Sequence, residues 1–191
     1  MLAEYQITLP ARTIESAEPK GRKLLEAAQS KLGFIPNMYA NMVNSPGLLE
    51  TYLTGYAAFR NDSGFTPPEQ EVIFLTISRD NGCEYCVSAH SFIADKASGL
   101  APEVIESIRN GTAIGDPKLA ALAAFTRVVG GTRGLPSKAD SDAFMAAGYS
   151  ERHILEIILA LAVKTISNYA NHLFHTPLDP VFAAHRWSDT D

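Results

Sequence analysis

Proline and glycine divide this 191-residue chain into segments whose apolar residues recur at helical spacing. Prolines begin many of these segments and glycines end them, the asymmetry expected at the two ends of a helix. In residues 19–32, for example, Leu24, Leu25, Ala28 and Leu32 fall close together on a helix surface. No segment shows a convincing alternation of apolar and polar residues, which a half-buried strand would need. The sequence therefore predicts an all-α fold, packed helix on helix.

Start and stop signals set the limits of the predicted helices. Thr66 can cap a helix, Pro67 suits its first turn, and Glu69 completes a capping box. Gly82 and Gly99 are plausible stops for this helix and the next one. The predicted helices cover residues 19–32, 46–60, 66–81, 83–98, 102–110, 117–129, 137–147 and 151–175.

The length of the chain suits a single domain over residues 1–191. Within it we expect an N-terminal helical extension at 1–45 and a core motif region at 46–100. Residues 154–166 are apolar nearly all round, so we expect them to form the central buried helix.

Charge and composition exclude several classes of function. The net charge of −5 gives no basic footprint for nucleic acid and no attraction to anionic membranes. Residues 1–10 lack the basic start and apolar run of a signal peptide. The most apolar stretch, 154–163, is too short to span a bilayer. We therefore expect a cytoplasmic protein that binds neither nucleic acid nor membranes.

The two cysteines, Cys83 and Cys86, are three residues apart. A secreted disulfide scaffold uses more cysteines and spreads them out, so this pair suggests reactivity or metal binding instead. On a helix, the pair shares one face with His90, which lies four residues beyond Cys86. Cys83 falls at the start of the predicted helix, where the dipole favours an anion and should lower the pKa of a thiol.

Glu71 lies on the preceding helix, which should form an antiparallel hairpin with the cysteine helix around Gly82. A rise of about 1.5 Å per residue places Glu71 and His90 at similar heights on the two arms of the hairpin. Glu71 can therefore meet His90 but lies too far from Cys83 to touch it. A carboxylate that orients an imidazole, which in turn takes a thiol proton, is the usual arrangement of an activated nucleophile.

Two other interpretations of these residues remain open. The cysteines can be small core residues. Alternatively, Cys83, Cys86, His90 and one carboxylate are a sufficient ligand set for zinc. The second is the stronger rival, although structural zinc usually staples short loops, and this pair sits between two strong helices.

The pattern Glu71-x11-Cys83-x-x-Cys86-x-x-x-His90 resembles the motif of the carboxymuconolactone decarboxylase/AhpD-like superfamily, in its alkylhydroperoxidase or peroxidase-related branch. The resemblance covers roughly 46–100 and extends more weakly to 164–172. It implies an AhpD-like helical bundle with a central antiparallel hairpin that carries the Cys-x-x-Cys motif. It also implies a homo-oligomer, from a dimer through a trimer to a hexamer.

The resemblance implies a dithiol that reduces hydroperoxides or partner disulfides. Glu71 and His90 would form a proton relay to Cys86, while Cys83 would be the more exposed partner. No cofactor is expected, only an external dithiol, a protein reductant or a peroxiredoxin-like partner. Tyr85 stands where the alkylhydroperoxidase pattern has a second histidine. Without that histidine the family's proton relay is incomplete, so efficient peroxidase turnover does not follow from the resemblance. Tyr85 can donate a hydrogen bond but is not a base at neutral pH.

Two competing functions remain: a decarboxylase acting on a lactone of aromatic catabolism, which does not need two cysteines, and a non-catalytic redox sensor.

Three further predictions concern other polar and aromatic residues. We expect His172 and His175 to act as cations at the end of the last helix. Asn168 and His172 are candidates to face the site. Core or interface packing is expected for Tyr39, Tyr52, Tyr56 and Phe59, which are also able to wall a thiol pocket.

Overall fold

The structure is a computed structural model that describes residues 2–188. Within this range the chain contains helices and no strand, so the all-α prediction is confirmed. A π-helical turn, Ala94–Ser98, follows α5, and a 3₁₀ helix, Pro180–His185, follows α9. The α-helices are α1 (Pro19–Leu32), α2 (Asn37–Met42), α3 (Pro46–Asp62), α4 (Pro67–Asp80), α5 (Glu84–Ile93), α6 (Pro102–Asn110), α7 (Pro117–Gly131), α8 (Lys138–Ala146) and α9 (Glu151–Phe174).

The central element of the fold is α4. Every residue from Glu69 to Ser78 is buried, and the helix packs against α5, α6, α7 and α9. Its start is fixed as predicted: the Thr66 side chain accepts from the Glu69 backbone N–H, and the Glu69 carboxylate accepts from the Thr66 N–H. Gly82, with φ 65°, turns the chain between α4 and α5.

The prediction that 154–166 forms the central buried helix is wrong. α9 buries one face on α2, α3, α4, α5 and α7 but leaves Leu155 66% and Ile158 48% exposed. Apolar residues cover more of its circumference than the single chain can bury. By length and composition alone, α9 is long and apolar enough to cross a membrane. This is weak evidence, because core helices of globular proteins meet the same criterion.

Close packing between α3 and α9 depends on Gly55. A Cβ atom at this position would lie 2.9 Å from Cγ2 of Val163, closer than real Cβ contacts. Glycine therefore lets the two backbones approach, and this brings the polar residues of α9 next to α4 and α5.

The C-terminal segment, residues 180–188, closes over α5. Arg109 donates to the backbone oxygens of His185 and Arg186, at 3.0 Å each. The Trp187 N–H donates to Ser88 Oγ on α5, also at 3.0 Å. The sequence predicted neither this 3₁₀ segment nor the six-residue α2, because both are too short to show a helical period.

Candidate active site

Three helices bring the candidate site together. α4 carries Glu71, and α5 carries Cys86 and His90, with Cys83 as its N-cap residue. α9 contributes a polar face on the other side of the thiols. The site is therefore built from regular helices whose positions are fixed by core packing, which suits precise chemistry.

The Glu71–His90 contact expected from the helix geometry is present. His90 Nδ1 lies 2.8 Å from Glu71 Oε2, and both side chains are buried. Arg60 from α3 forms an ion pair with the other carboxylate oxygen, and Ser98 Oγ donates to that oxygen at 3.4 Å. The π-helical turn positions Ser98 for this bond. Burial opposes ionisation of Glu71, but His90 and Arg60 outweigh it and hold the pKa of the carboxyl below its usual range.

His90 is poised as a neutral base. Burial, together with the nearby Lys164 ammonium, lowers the pKa of its imidazole despite the opposing effect of Glu71. Because a carboxylate can only accept, Nδ1 of the neutral ring must carry the proton that faces Glu71. Nε2 is then left as a proton acceptor. The ring is held in place against Phe74, with 4.9 Å between the centroids.

Both cysteines are free and buried, Cys83 at 1% and Cys86 at 2% exposure. The expectation that Cys83 is the more exposed partner is therefore wrong, since α9 and the C-terminal segment cover the start of α5. Burial also raises the pKa of the Cys83 thiol, so the lowering expected at a helix start does not occur there.

Cys86 is the activated thiol of the pair. Burial again opposes the charge, but a hydrogen bond from Cys83, the Lys164 ammonium and His90 together hold the pKa of Cys86 well below its usual range. Asn171 Nδ2 points at the same sulfur from 3.3 Å, and Ser167 Oγ lies 3.9 Å away. A thiolate at Cys86 is thus stabilised from several sides, while Cys83 remains a thiol.

Lys164 is the main functional candidate that the sequence reasoning missed. Its side chain is fully buried, and Nζ has no hydrogen-bond partner among residues 2–188. Nζ lies over the face of Phe74, 5.5 Å from the ring centroid. A lone lysine within a long apolar helix is itself the signal that could have revealed it, because a buried charge is costly and is usually retained for function.

Of the other polar residues of α9, Asn171 rather than Asn168 faces the thiols. Asn168 is buried and accepts from Asn81 Nδ2 at 2.9 Å, a contact at the C-terminal end of α4. Nor does His172 act as a cation at the helix end, since burial lowers the pKa of its ring. His175 lies just past α9, in the left-handed conformation with φ 50°.

Cys86 opens into a cavity of about 400 Å³. Tyr39, Tyr52 and Tyr56 line it together with His90, while Phe59 lies in the core instead. Burial raises the pKa of all three phenols, so they remain protonated and can donate hydrogen bonds at neutral pH. The cavity is mainly apolar, with polar groups near the sulfur, which is the usual composition of a ligand pocket.

Tyr85 does not occupy a base position. Its hydroxyl hydrogen-bonds to Asp179, and burial, with that carboxylate, raises the pKa of the phenol. Asp179 also accepts from the backbone N–H of Asn37 at 3.1 Å, so it links α2 to the site. Tyr85 is therefore a fixed wall rather than a relay group.

The zinc alternative finds no ligand set in the part of the chain that the structure describes. No three His, Cys, Asp or Glu side chains there form a group that could hold a metal ion. One ring nitrogen of His90 already faces Glu71.

Comparisons with known proteins agree with the helical fold. Residues 46–127 match the carboxymuconolactone decarboxylase family. The structure is similar to the alkylhydroperoxidase AhpD core of an uncharacterized peroxidase-related protein from Ralstonia eutropha JMP134, with TM-score 0.78, 23% identity, and coverage of 91% of this chain and 93% of that one. A peroxidase-related protein from Silicibacter sp. TM1040 gives TM-score 0.75 and 21% identity, covering 95% of both chains.

The debrominase Bmp8, in complex with 2,3,4-tribromopyrrole, is also similar. It gives TM-score 0.74 at 18% identity and covers 95% of this chain and 96% of its own. A search of curated proteins found no match. The family match over residues 46–127 and the fold shared over nearly the whole length both support the resemblance to the carboxymuconolactone decarboxylase/AhpD-like superfamily.

Proposed function

We propose that the protein is a thiol oxidoreductase in which Cys86 attacks a hydroperoxide and Cys83 closes a disulfide with it. The observation that carries this proposal is the environment of Cys86: a buried cation, an amide N–H and an imidazole that can accept the thiol proton all favour its thiolate. The thiolate is the nucleophilic form, so this arrangement promotes attack.

The reaction balances with the groups in the site. His90 takes the proton of Cys86, and the thiolate attacks the terminal oxygen of R–O–OH. Cys86 becomes a sulfenic acid, the O–O bond breaks, and the alkoxide takes the proton back from His90 to leave as an alcohol. The Cys83 thiol then condenses with the sulfenic acid to give a disulfide and water. Two electrons from an external dithiol or a protein reductant restore the pair.

The cavity beside Cys86 supports an organic rather than an inorganic peroxide. Hydrogen peroxide would occupy a small fraction of about 400 Å³, whereas an alkyl or aryl group can fill the apolar part. A disulfide-bearing side chain of a partner protein fits the same reasoning less well, because the cavity lies between helices.

The test is intact mass and free-thiol counting before and after one equivalent of cumene hydroperoxide. Wild type should lose both thiols, the Cys83→Ser variant should retain a sulfenic acid at Cys86, and the Cys86→Ser variant should be inert. Thiols that resist the peroxide in wild type would refute the proposal. An Ala89→Leu variant adds bulk to the wall of the cavity. It should slow the reaction with cumene hydroperoxide more than the reaction with hydrogen peroxide.

Reductive dehalogenation is a second candidate, favoured by the aromatic-lined cavity and by the fold shared with a debrominase that binds 2,3,4-tribromopyrrole. Replacing C–Br by C–H requires two electrons, which a dithiol supplies when it becomes a disulfide. Incubation of the reduced protein with 2,3,4-tribromopyrrole tests it: release of bromide in step with thiol loss would favour this reaction over peroxide reduction. Decarboxylation of a lactone would instead survive both cysteine substitutions.

We also propose that the protein is a cytoplasmic homo-oligomer. The uncovered face of α9, with Leu155, Ile158 and Tyr169 on one ridge, supports self-association through an apolar surface. Light scattering coupled to size-exclusion chromatography tests the assembly, and the Leu155→Glu and Ile158→Glu double variant should weaken it. If oxidation changes the oligomeric state without any turnover, the redox-sensor alternative is favoured.

A further inference from the structure

We propose that a second cavity, over Cys83, binds the small thiol that reduces the disulfide, and that His172 there takes the proton of the incoming thiol. This inference rests on the proposed function and assigns the reducing half of the cycle to its own site.

The two sulfurs face different cavities. Cys86 borders the cavity of about 400 Å³ between α2, α3 and α5, and Cys83 borders one of about 150 Å³ under the C-terminal segment. Among the residues that line them, Tyr85 alone is common to both. Its bond to Asp179 fixes it as the partition. A molecule in one cavity therefore reaches only one of the two sulfurs.

The cavity over Cys83 differs in chemistry as well as in position. It is smaller, and polar side chains such as Glu84, Ser88 and Arg186 contribute to its wall. Its volume accommodates the –CH₂–SH end of a low-molecular-weight thiol, with the remainder of the molecule outside. The wider, more apolar cavity at Cys86 suits the oxidising substrate instead.

His172 stands in the wall of this cavity with a free proton acceptor. A hydrogen bond to the backbone of Gly82 uses one ring nitrogen, and Nε2 is buried with no partner among residues 2–188. Burial lowers the pKa of the ring, so it is neutral at pH 7. His175 lines the same cavity, but its Nε2 lies 2.7 Å from the Ala3 carbonyl oxygen. Of these two histidines, His172 is the one with a buried ring nitrogen that lacks a partner among residues 2–188.

The direction of reduction follows from the two thiols. In thiol–disulfide exchange the sulfur with the lower pKa leaves faster. Cys86 is that sulfur, and Lys164 stabilises its thiolate. The incoming R–SH therefore gives its proton to His172 and attacks Cys83, the Cys83–Cys86 bond breaks, and Cys86 leaves as a thiolate. A second R–SH attacks the mixed disulfide, releasing R–S–S–R and the Cys83 thiol, so two thiols supply two electrons.

The experiment follows reduction of the oxidised protein by 2-mercaptoethanol in a stopped-flow instrument at pH 7 and at pH 10. The thiol is almost entirely protonated at pH 7 and needs a base, whereas at pH 10 most of it is ionised and needs none. A free thiol of pKa about 8.5 is only about 3% thiolate at pH 7, so a base can accelerate its attack by up to about thirtyfold. His172→Gln should therefore slow the reduction at pH 7 by about tenfold or more and leave the rate at pH 10 within about twofold of wild type.

The matched control is His153→Gln, the same substitution at the other end of α9. Gln at this position keeps the capping box with Ser150, so the helix start is preserved. This control should leave both rates unchanged, and His172→Asn serves as a second variant should the first fail to fold. After an acid quench during reduction with excess 2-mercaptoethanol, peptide mapping should find the mixed disulfide at Cys83.

Equal slowing at both pH values, no slowing at either, or a mixed disulfide at Cys86 would each overturn the inference. The outcome stays separate from that of the proposed function, because the disulfide can be made with diamide if peroxide does not form it. A wild-type protein that resists cumene hydroperoxide but is reduced through Cys83 and His172 would reject the peroxidase proposal alone.

Discussion

Replacing Lys164 by methionine should separate the stability of the fold from the reactivity of Cys86. The lysine is fully buried, and its ammonium lacks a hydrogen-bond acceptor among residues 2–188. Methionine has a similar length and no charge. The substitution therefore removes the cation while filling much the same space in the core.

Two effects of opposite sign follow. At an effective dielectric constant of about 20, two unit charges attract by about 4 kcal/mol at 4 Å and by about 2 kcal/mol at twice that separation. Loss of that attraction should change the ratio of thiolate to thiol at Cys86 by about thirtyfold. In the disulfide form no thiolate offsets the buried ammonium, so removing it should stabilise the fold. Replacing a buried ion pair by apolar residues of similar volume often raises the unfolding free energy by about 1–4 kcal/mol. Removing this one unpaired ammonium should give a gain of the same order, reduced by about 1 kcal/mol for the lost contact with Phe74.

The assay is the rate of iodoacetamide alkylation as a function of pH, with peptide mapping to assign the label to Cys86. Lys164→Met should move the rise in rate to higher pH and slow the reaction at pH 7 by about tenfold or more. Denaturant titration of the oxidised protein should show a higher free energy of unfolding. Lys138→Met is the control, since Lys138 is exposed and pairs with Asp142. An unchanged alkylation profile in a folded Lys164→Met protein would refute the reasoning.

Two further predictions test the buried ion pair and the helix packing. Glu71→Gln leaves Arg60 without its carboxylate and should cost about 3 kcal/mol of unfolding free energy at pH 7. Because the folded pKa of Glu71 lies below its reference value of 4.5, its stabilisation is present above that pH and is lost as the pH falls through the folded value. Urea titrations below pH 4.5 should therefore show a smaller loss of stability in Glu71→Gln than in wild type or in the exposed control Glu103→Gln; parallel curves would contradict this. Gly55→Ala should cost about 1–3 kcal/mol, because its Cβ would meet Val163 Cγ2 at 2.9 Å, and it should lower the melting temperature. By contrast, Gly47→Ala has no atom within 4 Å and should be neutral or stabilising by up to about 1 kcal/mol; equal effects of the two would count against the packing argument.

The sequence determined the helical architecture and the contact between Glu71 and His90. Local signals were sufficient for both: the Thr66 capping box fixed the start of α4, Gly82 fixed the turn, and the rise per residue fixed the heights of Glu71 and His90 on two consecutive helices. Contacts between neighbours in sequence follow from helix geometry, so spacing alone can predict them.

Only the tertiary structure decided which sulfur is activated. Lys164 and Asn171 reach Cys86 from α9, 78 and 85 residues away along the chain, and no spacing rule links these positions. The helix dipole by itself favours a thiolate at Cys83, but desolvation of that sulfur and the charge of Lys164 near Cys86 outweigh the helix terminus. Burial and the packing of distant helices set the local dielectric and the charges around a thiol. Both depend on where the whole chain places its helices, and the residues next to the thiol cannot specify them.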